Sequence, residues 1–314
     1  MPLAAADGLL VPPVLLVNPP GGTEVADLPG PVAVTHDTQP ERDWFAGVAE
    51  MRDRIEGPAG CVVVTLPRAR EAGRDMIAQA MALGVPVLVD GQKTDGADAM
   101  LKECRKRGTV GAVIAKAHGK LFVIEGGDFD DWRAAPRTAD GFLTPPGGFS
   151  TDGIDPGSRL LIDALPPLKG HVVDLGAGWG ALSKAILQSG DVTDCDLVEA
   201  HRPSLDCARR NLDDPRARFH WADATAWTPG SKVDHVVTNP PFHRGRAGDP
   251  HLGRAFLATA AACLAPRGVL WLVANRHLPY ESTLDSLFSE VTELPGSSAF
   301  KLFRAARVRG PRRG

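Results

Sequence analysis

Tyrosine occurs once in the 314 residues, as Tyr280, and cysteine only five times. Cys61, Cys104, Cys195, Cys207 and Cys263 are widely spaced, odd in number and never arranged as CxxC. That pattern argues against a disulfide framework and a zinc cluster, and no other metal site is expected. It fits a reduced, cytoplasmic compartment. Long hydrophobic runs are missing as well. No stretch approaches the ~20 apolar residues that cross a bilayer, so no membrane partner is expected. Residues 1–12 lack a basic segment followed by an apolar one, so no signal peptide is expected either. There is no internal repeat and no low-complexity tract. A large charge excess is also lacking. With a net charge of -3 and 43% hydrophobic residues, most of the chain is globular rather than disordered. At roughly 100–200 residues per domain the length implies two domains, each able to bury a core. A monomer is the default expectation.

Charge is placed unevenly. Residues 1–140 hold 15 Lys and Arg against 20 Asp and Glu, whereas residues 141–314 hold 20 against 18. The acidic balance of the first half argues against a broad phosphate-binding face there. Lys301, Arg304, Arg307, Arg309, Arg312 and Arg313 make the end of the chain basic with no acid among them. Such an end is either a solvated tail or a phosphate contact.

The first half shows short apolar runs at 14–17, 32–34, 61–66, 85–89, 113–114 and 121–124, with helical stretches at 68–83 and 96–107. This alternation predicts an α/β layer with a partly parallel sheet. No glycine-rich strand-to-helix loop is present there, and Asn18-Pro19-Pro20 reads as a turn. Residues 134–157 are rich in Pro, Gly, Asp and Thr and read as a linker or an irregular covering segment. The second half alternates more plainly. Strands are predicted at 171–175, 194–199, 217–221, 235–238 and 269–274, and helices at 181–188, 203–212, 253–264 and 281–289. An antiparallel pair is predicted at 290–294 and 300–309. This is a doubly wound sheet, whose ligands sit at the carboxyl ends of its strands.

Asp174-Leu175-Gly176-Ala177-Gly178-Trp179-Gly180 follows the first of these strands and opens a helix. Glycines there allow a tight turn and a close approach of backbone to ligand. Gly176, Gly178 and Ala181 fit a dinucleotide fingerprint. Asp174 with Gly176, Gly178 and Gly180 fits an S-adenosylmethionine (SAM) loop equally well. Asp174 would receive a ligand's ammonium and repel a pyrophosphate. Glu199 ends the next strand, where a carboxylate can accept from both ribose hydroxyls. Asp223, after the third strand, can accept from an adenine amine or simply make a turn. Trp179 could pack over the cofactor.

The decisive stretch is Asn239-Pro240-Pro241-Phe242, at the end of the fourth strand. Two prolines remove two backbone donors and leave carbonyls free to accept. The Asn239 side-chain oxygen and the Pro240 carbonyl can together take both hydrogens of an exocyclic amine. Phe242 can stack on the base that carries it. An NAD-dependent oxidoreductase has no use for this tetrad, so the loop is read as a SAM loop. His243 and His251 permit a general-base reading, but an exocyclic amine becomes strongly acidic once methylated and can lose its proton to water. Asn275 and Tyr280 either shape the target pocket or cap the next helix.

The tetrad and the Asp174 loop resemble the class I SAM-dependent methyltransferases that modify exocyclic or amide nitrogens. Three more stretches narrow the resemblance: Phe149-Ser150-Thr151-Asp152-Gly153-Ile154-Asp155-Pro156-Gly157-Ser158, Ala274-Asn275-Arg276-His277-Leu278-Pro279-Tyr280, and Phe300-Lys301-Leu302. Together they are similar to the ribosomal RNA guanine-N2 methyltransferases of the RsmC/RlmG type, strongly over residues 142–308 and more weakly before that. The resemblance implies two tandem doubly wound, Rossmann-like methyltransferase domains. The first, 1–137, would be degenerate and lack a cofactor site; the second, 138–314, would be catalytic. It implies that Asp174, Gly176 and Gly178 hold the methionine end of SAM and that Glu199 takes its ribose. Asp223, with Ala224, would take the adenine side, and Asp155 and Ser158 would line the cofactor pocket. Asn239, Pro240 and Phe242 would bind the target guanine, in 16S or 23S rRNA, with ribosomal RNA or an assembled ribosomal subunit as partner. Two departures are the wording Val198-Glu199-Ala200-His201 and Leu302 where Val is more usual. A protein-glutamine or adenine-N6 methyltransferase and a non-catalytic RNA-binding assembly factor are the competing readings.

Overall fold

The computed structural model describes residues 2–241, 243–244, 247–248 and 250–310. The chain divides into two compact units, Met1–Pro136 and Arg137–Gly314. The first contains β1 (Val14–Val17), β2 (Val32–Thr35), β3 (Glu50–Arg52), β4 (Cys61–Thr65), β5 (Val87–Gln92), β6 (Gly108–Lys116) and β7 (Gly119–Gly127). Its helices are α1 (Pro2–Ala6), α2 (Gln39–Phe45), α3 (Arg70–Met81) and α4 (Ala97–Arg107). The second unit opens with a small hairpin, β8 (Arg137–Ala139) and β9 (Phe142–Thr144). Its main strands are β10 (Gly170–Leu175), β11 (Val192–Glu199), β12 (Ala217–Trp221) and β13 (Val233–Thr238). After the short pair β14 (His243–Arg244) and β15 (Ala247–Gly248) come β16 (Leu264–Asn275), β17 (Phe288–Leu294) and β18 (Phe300–Val308). Its helices are α5 (Pro156–Ala164), α6 (Ala181–Ile186), α7 (Arg202–Asn211), α8 (Pro250–Cys263) and α9 (Glu281–Leu287).

The two large sheets share one strand order. In the first it is β3-β2-β1-β4-β5-β7-β6, in the second β12-β11-β10-β13-β16-β18-β17. In each, five parallel strands are followed by an antiparallel hairpin. The central strands read as apolar runs because both of their faces are covered. Val14–Val17 is buried throughout, and Cys61–Thr65 nearly so. In the second unit, alternate residues of β10 and β11 feed two cores, one on each side of the sheet. Val173 and Val198 pack with α8 and α9, while Val172 and Leu197 pack with α6 and α7.

At the end of β1, Asn18 takes a left-handed φ of 48°. Its side chain closes on Asp37 beyond β2: Nδ2 donates to Asp37 Oδ2 at 2.9 Å, and Oδ1 accepts from the Asp37 N–H at 3.0 Å. Residues 134–157 are a covering segment rather than a bare linker. They include the β8–β9 hairpin, and Phe142 packs on Trp179 with ring centroids 4.9 Å apart. All five cysteines are buried and free. Burial pushes the Cys104 thiol up to about 12 and the Cys207 and Cys263 thiols to about 11, which removes them as nucleophiles at neutral pH. Among the described residues, no helix is long and apolar enough to cross a membrane, and no group of three or more His, Cys, Asp or Glu side chains could hold a metal ion.

Candidate active site

The site residues lie at the carboxyl ends of β10, β11, β12 and β13. Parallel pairing brings the end of β10 next to that of β11 on one side and β13 on the other. Side chains reinforce this. The Thr238 hydroxyl, fully buried at the end of β13, donates to the Leu175 carbonyl at 2.6 Å. Asn239 and Pro240 are thereby fixed beside the start of the glycine loop.

Asp174 is fully buried. Its Oδ2 accepts from the Ser183 hydroxyl at 2.6 Å, while Oδ1 has no partner among the described residues. Burial pushes its carboxyl up to about 7, against the opposing hydrogen bonds from Ser183 and with a further push from the Glu199 charge. A buried carboxylate oxygen with nothing to accept from is costly unless a donor arrives from outside. The loop that follows is left-handed at Gly176 (φ 82°) and Gly178 (φ 56°), and nothing lies within 4 Å of where a Cβ at Gly178 would stand. Bare backbone with open space beside an unsatisfied carboxylate is a cradle for a cationic, close-approaching ligand. Among the two loop readings, this favours the ammonium of SAM over a pyrophosphate.

Glu199 is half-buried and braces the loop. Its Oε2 accepts from the Gly178 N–H at 2.8 Å, and Oε1 from the His201 N–H at 2.7 Å. Each oxygen keeps a second lone pair for another donor. Asp223 makes the turn that was one of its two readings, with Oδ1 accepting from the Thr225 N–H and hydroxyl at 2.8 and 2.7 Å. Ala224 beside it is buried in the core under α8. The end of β12 is nonetheless held at the site, since the Ala222 N–H donates to the Glu199 carbonyl at 3.1 Å.

Asp155 and Ser158 are brought to the tetrad. Asp155 caps α5 by accepting from the Ser158 N–H at 3.0 Å. The Asn239 Nδ2 then donates to Asp155 Oδ2 at 3.0 Å and to Ser158 Oγ at 2.9 Å. Pro240 is buried and Pro241 exposed; Phe242 lies outside the described residues. Trp179 turns into the covering segment. Its indole N–H donates to the Phe149 carbonyl at 3.0 Å, and its ring is buried with Phe142 and Cys207, an apolar pocket that satisfies it better than solvent would. Tyr280 is fully buried at the start of α9, its hydroxyl over Gly253 of α8. Asn275 ends β16, paired with Phe300.

Three supporting residues escape sequence reasoning. Ser183 holds Asp174 from α6. Thr238 ties β13 to β10. Asn211 binds the loop to the hairpin: Nδ2 donates to the Trp179 and Leu143 carbonyls, each at 2.9 Å, and Oδ1 accepts from the Leu143 N–H at 2.8 Å. Only Ser183 carries a signal, as a hydroxyl one helical turn into the helix after a glycine loop.

Residues 140–304 match the family described as Methyltransferase small domain. A protein of Alcanivorax borkumensis named Ribosomal RNA small subunit methyltransferase C is 32% identical over 286 residues, covering 84% of this chain and 86% of that one. A protein of the same name from Shewanella sp. (strain MR-7) is 29% identical, over 77% of this chain and 75% of its own. Among solved structures, the Thermus thermophilus 16S rRNA N2 G1207 methyltransferase, in complex with AdoMet and guanosine, matches with a TM-score of 0.80 at 26% identity. That match covers 94% of this chain and 88% of the Thermus chain. Paired sheets of one strand order, the glycine loop and these relatives agree: the chain belongs to the ribosomal RNA small subunit methyltransferase C family.

Proposed function

We propose that this protein transfers a methyl group from SAM to the exocyclic N2 amine of a guanine in the 16S rRNA of the small ribosomal subunit, in the cytoplasm. One observation carries the reading. The Asn239-Pro240 backbone is locked by the Thr238–Leu175 hydrogen bond beside the loop that holds an unsatisfied buried carboxylate. A donor pocket and an amine-accepting pocket thus share the ends of two neighbouring strands.

Asp174 and the backbone at Gly176 and Gly178 would hold the methionine end of SAM, Glu199 the ribose, and Asp223 with Ala224 the adenine side. Bound there, SAM supplies an electrophilic methyl on a sulfonium. The chain supplies position and electrostatics. Asn239 Oδ1 and the Pro240 carbonyl accept the two N2 hydrogens and hold the nitrogen lone pair toward the donor pocket. Phe242 is the stacking partner for the base, worth about 1–3 kcal/mol against the few kcal/mol of unstacking it from its strand. The exocyclic amine is a strong acid once alkylated, so its proton can pass to water with no dedicated base.

The test incubates the protein and labelled SAM with ribosomal subunits, and with the naked rRNA, from a strain lacking the gene. Label in N2-methylguanosine of the small subunit or its RNA is the expected outcome. Label in the large subunit alone, or in no RNA, would overturn the reading.

A further inference from the structure

The two residues that the resemblance would place in the cofactor pocket also bond the tetrad. Asp155 and Ser158 stand 84 and 81 residues from Asn239 in sequence, yet both accept from its side-chain nitrogen. An ionised carboxylate can only accept, so the atom facing Asp155 is the amide nitrogen and the opposite atom is the oxygen. An amide nitrogen has two hydrogens, and here each has its own acceptor. Among the described residues, Oδ1 is then the one polar side-chain atom of Asn239 left for a ligand, and it can only accept.

We propose that Asp155 and Ser158 are positioning residues for methyl transfer. They fix the Asn239 amide with its oxygen outward and make the target pocket selective for a group that brings an N–H. The inference rests on the function proposed above and adds a specificity device to it. A hydrogen bond to a carboxylate also draws charge through the amide and makes Oδ1 a stronger acceptor. A ring keto oxygen presented at the same point meets only lone pairs and is rejected.

The support behind the clamp is stiff. Asp155 Oδ2 is shared between Asn239 and the Ser158 N–H at the first turn of α5. Ser158 is 8% exposed. Gly157 between them lets the Phe300 ring approach so closely that a Cβ there would stand 2.9 Å from it. The segment 155–158, Asn239 and Phe300 are therefore one assembly. The first orients the second, and the third seats the first.

Asp155→Asn isolates the effect. Asn caps a helix as well as Asp does, so α5 keeps its N-terminus. The oxygen that caps α5 is also the one that faces Asn239, so the replacement amide keeps both bonds but as a neutral, weaker acceptor, and the hold on the Asn239 amide loosens. Turnover on small subunits and guanosine affinity should both fall about tenfold or more, while SAM affinity measured by calorimetry stays within about twofold. In an Asn239→Ala background, Asp155→Asn should add less than about twofold to the loss, because the clamped group is already gone. Ser158→Ala should give a smaller loss of the same kind. A SAM affinity that falls as far as turnover, or losses that multiply in the double variant, overturn the proposal. If the wild-type protein methylates no RNA, the functional reading fails. The clamp is then judged on the 15N spectrum of the Asn239 side-chain amide, whose two protons should shift in Asp155→Asn; an unchanged spectrum sinks it.

Discussion

Asp174 is the residue whose environment most constrains the chemistry of the second unit. Its fully buried carboxyl is pushed up to about 7, chiefly by loss of water. The usual unfolded value is about 3.9. A folded value raised in this way favours the protonated form, so the stability it contributes is present below about 3.9 and is lost as pH rises through about 7. A ligand ammonium at Oδ1 reverses the preference. SAM should therefore bind more tightly as pH rises, with affinity changing up to about tenfold per pH unit below 7 and levelling above it. Calorimetry at several pH values checks this, and Asp174→Asn should bind weakly with a flat profile. A wild-type affinity independent of pH would show that Asp174 does not receive the ammonium. Much of this residue is legible in the sequence. A carboxylate closing an apolar strand before a glycine loop is a positional signal. Its degree of burial is not legible, because that depends on Ser183 and on the neighbouring strands, which sequence spacing does not bring together.

Among the elements, β10, β11 and β12 are tied by more than their backbone ladder. Asp196 on β11 bonds His171 on β10 at 2.5 Å and His220 on β12 at 2.7 Å. Burial alone would push its carboxyl up, but the hydrogen bonds from His220 and His171 outweigh it and hold it below the usual range. A lowered folded value contributes stability above the unfolded value of about 3.9, lost as pH falls through the folded one. Asp196→Asn should cost about 1–3 kcal/mol in urea unfolding at neutral pH. The gap to wild type should close below about pH 4. A gap that persists in acid would mean the carboxylate charge is not what the histidines hold. The elements legible in the sequence are the ones buried on both faces, such as β1 and β4. The edge strand β6 runs nine residues but is largely exposed, so only 113–114 stands out. The three-residue β3 has no buried position at all. Helix α5 is hidden because Pro156 and Gly157 read as loop, although Asp155 before a proline is a sound N-terminal signal.

Over the whole molecule, one strand order serves twice with different ends. Where the second unit has Gly176 after its first strand, the first has Asn18, also left-handed, with its side chain closed on Asp37. The filled position gives a physical reason to expect no SAM binding in the first unit. Residues 137–314 produced alone should bind SAM about as well as the full chain, and residues 1–136 should give no heat on titration. Weak binding by the 137–314 fragment would mean that the first unit contributes to the pocket. The α/β alternation of the first half was legible in its residues, and the tandem plan only through the family resemblance; the filling of the loop's place by Asn18 was not legible at all. The second sheet's order has a further effect, on the growing chain. Strand β13 inserts beside β10 only after β11 and β12 have been made. Every residue assigned to the methyl donor, from Asp174 to Ala224, is therefore synthesised before Asn239. A nascent chain halted between residues 225 and 238 would carry all the groups proposed to hold a donor and none of the tetrad proposed to select a target.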